Sequence, residues 1–395
     1  MIGTRLDDVD APRLIRGEFG WWFIGNQTWT LINSESVRID GTFDEDVDAF
    51  LRSAGAYRPY VPRSFSLTVL TTTMCNLGCG YCFQNTALDP LGGNKPLRIK
   101  KSLLNTSTID RIIRFTADQM ERASLSELYL LLFGGEPLLN NRACLELLDR
   151  TKKIGLSSAM VATNGVLLTP KLAKDLEASG LTGVQLTFDG SRDDHDRIRV
   201  KHSGAATFDI IVRHLAQAME VTDLRWHLRI NVSHHNFDNI GELFSQLLAA
   251  KVDPARCTLT FAWVGDAGFG YGNALRHIND VSDAFVSWSI AALEAGFRLV
   301  RPSMKTTCQI CTEPGGRYGA VVNADGDLYS CWQSAGKPNF DVGTIYDGYK
   351  NVSEVRERWV SCGYEYEQTN SAVVAEFQDR VDSQFLDYLY INGRL

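Results

Sequence analysis

Seven of the chain's nine cysteines fall into two spaced groups. The first is Cys75, Cys79 and Cys82, and the second is Cys308, Cys311, Cys331 and Cys362. Three thiolates separated by three and then two residues can wrap one face of an iron–sulfur cube, leaving the fourth iron without a protein ligand. An open metal position suits redox or Lewis-acid chemistry, whereas a structural site closes its coordination. A zinc site would close with a fourth ligand, and neither His nor Cys stands between Cys82 and Cys144.

In the second group, two residues separate Cys308 from Cys311, fourteen lead on to Gly326, and four more reach Cys331. A β-hairpin is predicted at 317–323 and 327–332, with Ala324, Asp325 and Gly326 between its arms. Cys362 follows a helical pattern at 351–360. Four thiolates would close a second cluster completely, and a four-cysteine zinc knot would use the same spacing. Cys144 and Cys257 lie in apolar patterns and are expected to be small buried side chains.

The elements that must position these residues repeat. Strands are predicted at 65–71, 127–133, 158–163, 183–188, 226–232 and 258–263. Helical periodicity falls between and after them, at 108–120, 141–154, 170–179, 208–221, 239–250 and 281–296. The strands are apolar on both faces, as in a parallel sheet covered by helices. Six such units predict an α/β fold built as a partial (β/α)6 barrel, whose chemistry sits at the C-terminal ends of the strands. The expected organisation is a small N-terminal unit at 1–62, the barrel at 63–300, and a cysteine-bearing extension at 301–395. The N-terminal unit carries two short β-type runs split by Gly25 and Asn26, then a polar helix at 43–53. Its Trp21, Trp22 and Trp29 form either an exposed docking surface or the core of a small domain.

Composition narrows the setting. The chain has 395 residues, 44% hydrophobic and 22% charged, which excludes disordered, collagenous and coiled-coil classes. A net charge of −7 argues against a general nucleic-acid or membrane binder. No apolar run is long enough to span a bilayer, and the first residues lack a signal-peptide core, so a cytoplasmic location is expected. In a reducing compartment, clustered thiols are more often metal ligands than crosslinks.

The first cysteine group, with aromatic Tyr81 before its third cysteine and Phe83 after it, resembles the radical S-adenosylmethionine superfamily. The resemblance implies that the open iron chelates the amino and carboxylate groups of S-adenosylmethionine. One electron then cleaves the sulfonium to a 5′-deoxyadenosyl radical that abstracts hydrogen. Gly134, Gly135 and Glu136 match the superfamily's Gly-Gly-Glu motif at the methionine end, and Tyr81 matches the aromatic residue near the adenine. Asn164, in Thr-Asn-Gly, and Thr187 and Asp189, in Thr-Phe-Asp-Gly followed by His195, Asp196 and Arg199, resemble stretches of the peptide-modifying branch. There Thr187 stands in place of the usual Ser. Arg229 and Asn231 are the residues expected to hold the carboxylate and a ribose hydroxyl.

The second group resembles the opening of a SPASM or shorter twitch extension. A full SPASM domain carries seven cysteines and this segment carries four, so one auxiliary 4Fe–4S cluster is expected, two clusters in all. The resemblance implies a maturase of ribosomal precursor peptides, forming a thioether or carbon–carbon crosslink or another oxidative modification. A flavodoxin- or ferredoxin-like protein would supply electrons. Two relatives in kind remain open: a twitch-type small-molecule dehydrogenase and an anaerobic sulfatase maturase. The latter places aspartate where this chain has Trp332. A non-catalytic iron–sulfur scaffold would have no need of the Gly134–Glu136 and Thr187–Gly190 stretches. No catalytic acid or base is identified.

Overall fold

The computed structural model describes residues 12–26, 28–58, 61–84, 99–266, 271–304, 308, 310–311, 315–360 and 371–395. Cys362 lies outside them. Six parallel strands form its centre: β4 (Ser64–Thr72), β5 (Glu127–Gly134), β6 (Leu156–Thr163), β7 (Gly183–Phe188), β8 (Arg225–Val232) and β9 (Cys257–Trp263). They lie side by side in chain order, each hydrogen-bonded to the next. Right-handed crossovers between strands in monotone order carry every helix to the same face, which curls a sheet toward a barrel. The helices are α2 (Thr106–Ala123), α3 (Asn141–Thr151), α4 (Pro170–Ala178), α5 (Arg192–Ile198), α6 (Phe208–Val221), α7 (Ile240–Ala249) and α8 (Ser282–Glu294). Their apolar faces supply Ile109, Ile112, Leu147, Leu176, Ile211, Leu215 and Leu247 to one continuous core. Asn105 caps α2 by accepting from the Thr108 amide, and Thr169 caps α4 by accepting from the Leu172 amide.

Among the described residues the strands do not close on themselves. Short β10 (Arg298–Leu299) extends the sheet beyond β9 in parallel. At the other side β4 pairs with β11 (Gly319–Val322), also in parallel, in the register Gly319↔Ser66 to Val322↔Val69. Antiparallel β12 (Asp327–Tyr329), β13 (Asp341–Thr344) and β14 (Gly348–Tyr349) complete one sheet of 11 strands. The hairpin turn at Gly326 has φ +99, a left-handed conformation that glycine adopts without strain. The helical pattern expected over 351–360 contracts to the single turn α9 (Val352–Val355).

The N-terminal strands are β1 (Arg13–Arg16), β2 (Trp21–Gly25) and β3 (Thr28–Ile32), an antiparallel sheet followed by α1 (Glu45–Ser53). This sheet is fastened to the last helix, α10 (Ser371–Ile391). Buried Arg13 donates to Asp382 and Asp379, each at 2.6 Å. Trp22, fully buried, donates its indole N–H to Asp387 at 2.8 Å, and Trp29 donates to the Pro302 carbonyl at 2.6 Å. Trp22 thus lies in the core shared with Leu386 and Leu389, and Trp29 packs against it. α10 also packs along α8, with Phe377 edge-on to Phe285. Among the described residues, no helix is long and apolar enough to cross a membrane.

Candidate active site at the strand ends

The loop after β4 carries Cys75, Cys79 and Cys82, and the ends of β5 to β8 converge around it. Gly135 N–H donates to the Thr72 carbonyl at 3.0 Å, and Glu136 N–H to the Met74 carbonyl at 2.8 Å. A Cβ at Gly134 would collide with the Thr72 carbonyl, and one at Gly135 with the Met74 carbonyl. Only glycine lets the end of β5 run this close to the backbone entering the cysteine loop. On its other side the loop is tied to the segment after α5. Leu77 pairs with Lys201, Gly78 N–H donates to the Val200 carbonyl, and His202 Nε2 lies 3.0 Å from the Cys75 carbonyl.

Glu136 is fully buried. Its Oε1 accepts from the Leu138 amide at 3.0 Å and the Thr163 hydroxyl at 2.6 Å, and its Oε2 accepts from the Asn164 amide at 2.7 Å. Burial raises its pKa, while these three donors pull it down. The carboxylate therefore splices β5 to β6. Asn164 in turn donates to Asn76 at 2.7 Å and reaches the Cys75 sulfur at 3.9 Å.

Tyr81 is the hub of the opposite side. Its hydroxyl donates to Asp189 at 2.8 Å and accepts from Arg199 and Asn231, each at 2.9 Å. Arg229 Nε donates to Asn231 at 2.9 Å, so Arg229 stands one bond further back. Thr187 faces Arg229 in register across β7 and β8. Burial, then the Asp189 charge, pushes the Tyr81 pKa well up. Burial opposes the charge of Arg199, but Tyr81, Cys79 and Asp189 outweigh it, so the guanidinium stays protonated. His195 is fully buried behind this network. The Asp189 amide donates to its Nδ1, so its proton sits on Nε2, 3.2 Å from the Thr207 hydroxyl, which donates to the Arg199 carbonyl at 2.6 Å. His195 and Thr207 had no assigned role in the sequence; their spacing to Asp189 and Arg199 becomes meaningful only in space.

The residues present fit an iron–sulfur cluster with an amino-acid-bearing cofactor. The Cys75 thiol is pushed up by burial and then by Cys79, Glu136 and Cys82, a set of mutually repelling groups that a metal centre would relieve. Among the described residues no three such side chains sit close enough to hold a single metal ion, whereas a cube spreads its thiolates over separate irons. Buried Arg199 also has a guanidinium Nε without a hydrogen-bond partner among the described residues, a donor suited to a carboxylate.

The described members of the second cysteine group, Cys308, Cys311 and Cys331, lie beside this site. Cys331 follows β12 and is buried, as is Cys311, and Cys308 packs on the cluster of Leu70, Ile310 and Tyr329. Phe83 and Phe133 stack with Trp332 edge-on to both, at centroid distances of 5.7 Å and 5.1 Å. Cys144 and Cys257 are fully buried in the core, as expected, their thiols pushed up to about 12 by burial.

The family model for the radical SAM superfamily matches residues 69–247. Mycofactocin maturase MftC of Mycolicibacterium smegmatis is 30% identical over 300 residues, covering 72% of this chain and 69% of that protein. The chain belongs to the radical SAM superfamily. The PqqA peptide cyclase of Ruegeria pomeroyi, 32% identical, matches 51% of this chain and 50% of its own length. Among solved structures, native anSMEcpe with bound AdoMet has a TM-score of 0.60 at 16% identity, over 83% of this chain and 99% of that one. The superfamily's α/β fold with its large, mostly parallel sheet is the fold described above, and its members bind S-adenosylmethionine and a 4Fe–4S cluster.

Proposed function

We propose that this radical SAM enzyme is a maturase that oxidatively modifies a ribosomal precursor peptide in the cytoplasm. The observation that carries the reading is the extent of likeness to mycofactocin maturase. It runs over 300 residues, well beyond the 69–247 core common to the superfamily. A second relative is named as a peptide cyclase.

Cys75, Cys79 and Cys82 would hold a 4Fe–4S cluster, and S-adenosylmethionine would bind its open iron. When bound, the pair supplies one-electron sulfonium cleavage and a carbon radical able to take hydrogen from a substrate C–H. The chain's own residues do the holding. The Gly134 and Gly135 backbone, braced by Glu136, lines the methionine end. Arg199 offers its remaining N–H to the carboxylate. Asp189 keeps the Tyr81 proton on the hydroxyl, so that ring stays neutral and fixed for the nucleoside. Thr187, Arg229 and Asn231 present polar groups from the same strand ends, and Phe83 walls the side toward the extension.

Cys308, Cys311, Cys331 and Cys362 would hold an auxiliary 4Fe–4S cluster. Support comes from the chain that leads toward the last of them. Trp359 donates to the Cys311 carbonyl at 2.8 Å, and Val360 exchanges hydrogen bonds with Ser330, the residue before Cys331. Residue 360 is thus held beside the other ligands, two positions before Cys362. An electron carrier of the flavodoxin or ferredoxin kind would reduce the clusters. Among the described residues no further strand pairs with the outer edges of β1 and β3, which suits strand addition by a leader segment.

The test is incubation of the reduced, reconstituted enzyme with S-adenosylmethionine and the short peptide encoded beside its gene. A loss of two hydrogens per event in the peptide is expected. Turnover of an amino sugar with the peptide unchanged would reassign the enzyme as a small-molecule dehydrogenase.

A further inference from the structure

After Cys331 the chain folds back on itself. Ser334 N–H and hydroxyl both donate to the Cys331 carbonyl, and Lys337 N–H donates to the Ser334 carbonyl at 3.0 Å. Gly336, at φ +80, makes the reversal against Ile99, where a Cβ would meet the Ile99 methyl. These turns carry the Lys337 ammonium to 5.9 Å above the ring of Phe83, the residue after Cys82. A cation over an aromatic face is attracted to it, more so when desolvated. The site is desolvated: burial lowers the Lys337 amine to about 8, with Cys82 and Cys331 acting in the opposite direction. The ammonium thus stands between the residue that follows Cys82 and the loop that begins at Cys331.

We propose that Lys337 is an electrostatic link between the two cysteine groups, its ammonium raising the reduction potential of the iron–sulfur centre on each side. The proposal rests on the two-cluster reading above. Reduction adds negative charge to a cluster, and a nearby buried cation favours the reduced form, net local charge being among the determinants of cluster potential. Because Lys337 hangs from the loop that begins at Cys331 yet lies over the residue that follows Cys82, it acts on both centres at once.

The test is an anaerobic redox titration of the fully reconstituted protein, followed by electron paramagnetic resonance, in the wild type and in Lys337→Met, Lys337→Gln and Lys337→Arg. Both neutral variants are expected to lower the one-electron reduction equilibrium constants of both centres about tenfold, a shift of about 59 mV. Lys337→Arg is expected to restore them, and iron content is expected to stay equal throughout. Unmoved potentials, or a shift at one centre only, would overturn the link while leaving the maturase reading intact. Wild-type protein that loads iron for a single centre would instead overturn the two-cluster reading, and the link with it.

Discussion

Phe83 and Trp332, each the residue directly after a cysteine, meet edge to face with ring centroids 5.7 Å apart. One belongs to the loop at the end of β4, the other to the chain after β12, and parallel pairing of β4 with β11 brings the two loops together. The distance between the cysteine groups is thus set by a strand register, with aromatic contacts filling the junction.

Trp332→Ala removes edge contacts to both Phe83 and Phe133. Aromatic pairs contribute about 0.5–1.5 kcal/mol each beyond their area. A loss of roughly 1–3 kcal/mol is expected in denaturant unfolding of the metal-free protein. A Trp332→Phe variant should recover part of it.

Tyr81→Phe deletes one oxygen and leaves the Arg199 and Asn231 donors and the Asp189 carboxylate short of a partner. A buried polar group left unpaired costs about 1–3 kcal/mol. Reduced stability and weaker cofactor binding are expected together, measured by unfolding and by calorimetric titration. A double-mutant cycle with Asn231→Ala should show strong coupling, because both changes break the same bond.

His195 supplies a pH dependence. Burial, then Arg199, holds its folded pKa well below the ordinary value, so the folded state keeps it neutral. The unfolded chain takes up a proton below about pH 6.5. Its stabilising contribution is therefore complete above that pH and declines as pH falls toward the folded pKa, by up to about 1.4 kcal/mol per pH unit. Unfolding curves between pH 7.5 and 5 should show this decline in the wild type, and His195→Gln should lack that part of it.

Arg13→Ala leaves Asp382 buried without its cation. Breaking a buried pair from one side costs about 3–5 kcal/mol. Hydrogen exchange should rise in β1, β2 and α10 together, with the parallel strands unchanged.

Much of the site could be read from sequence because its parts are local. The cysteine spacing, the double glycine and the strand–helix rhythm each lie within a short window, and α6 falls at the bounds its periodicity predicted. What escaped detection depends on distant partners. α10 turns Asp379, Asp382 and Asp387 toward Arg13, Trp22 and the Glu18 amide. Acidic residues spread around a helix look like a solvated surface until those partners are known. Strand β1, outside the two β-type runs expected in the N-terminal unit, places an arginine, Arg13, in the interior, where the acidic partners on α10 satisfy it. The Tyr81 hub draws on the cysteine loop, β7, the end of α5, and β8, and no sequence pattern links those four places. His195 stood in the sequence only as part of the stretch after Asp189, and only the fold shows it joining the Asp189 amide, through Thr207, to the Arg199 carbonyl.

The most direct test of the account follows hydrogen rather than product. The reduced, reconstituted enzyme is incubated with S-adenosylmethionine and a precursor peptide deuterated at its carbon positions, and the 5′-deoxyadenosine formed is analysed by mass spectrometry. One deuterium is expected in 5′-deoxyadenosine for each modified peptide, and none when Cys75, Cys79 and Cys82 are replaced by Ala. Unlabelled 5′-deoxyadenosine formed while the peptide is being modified would contradict it.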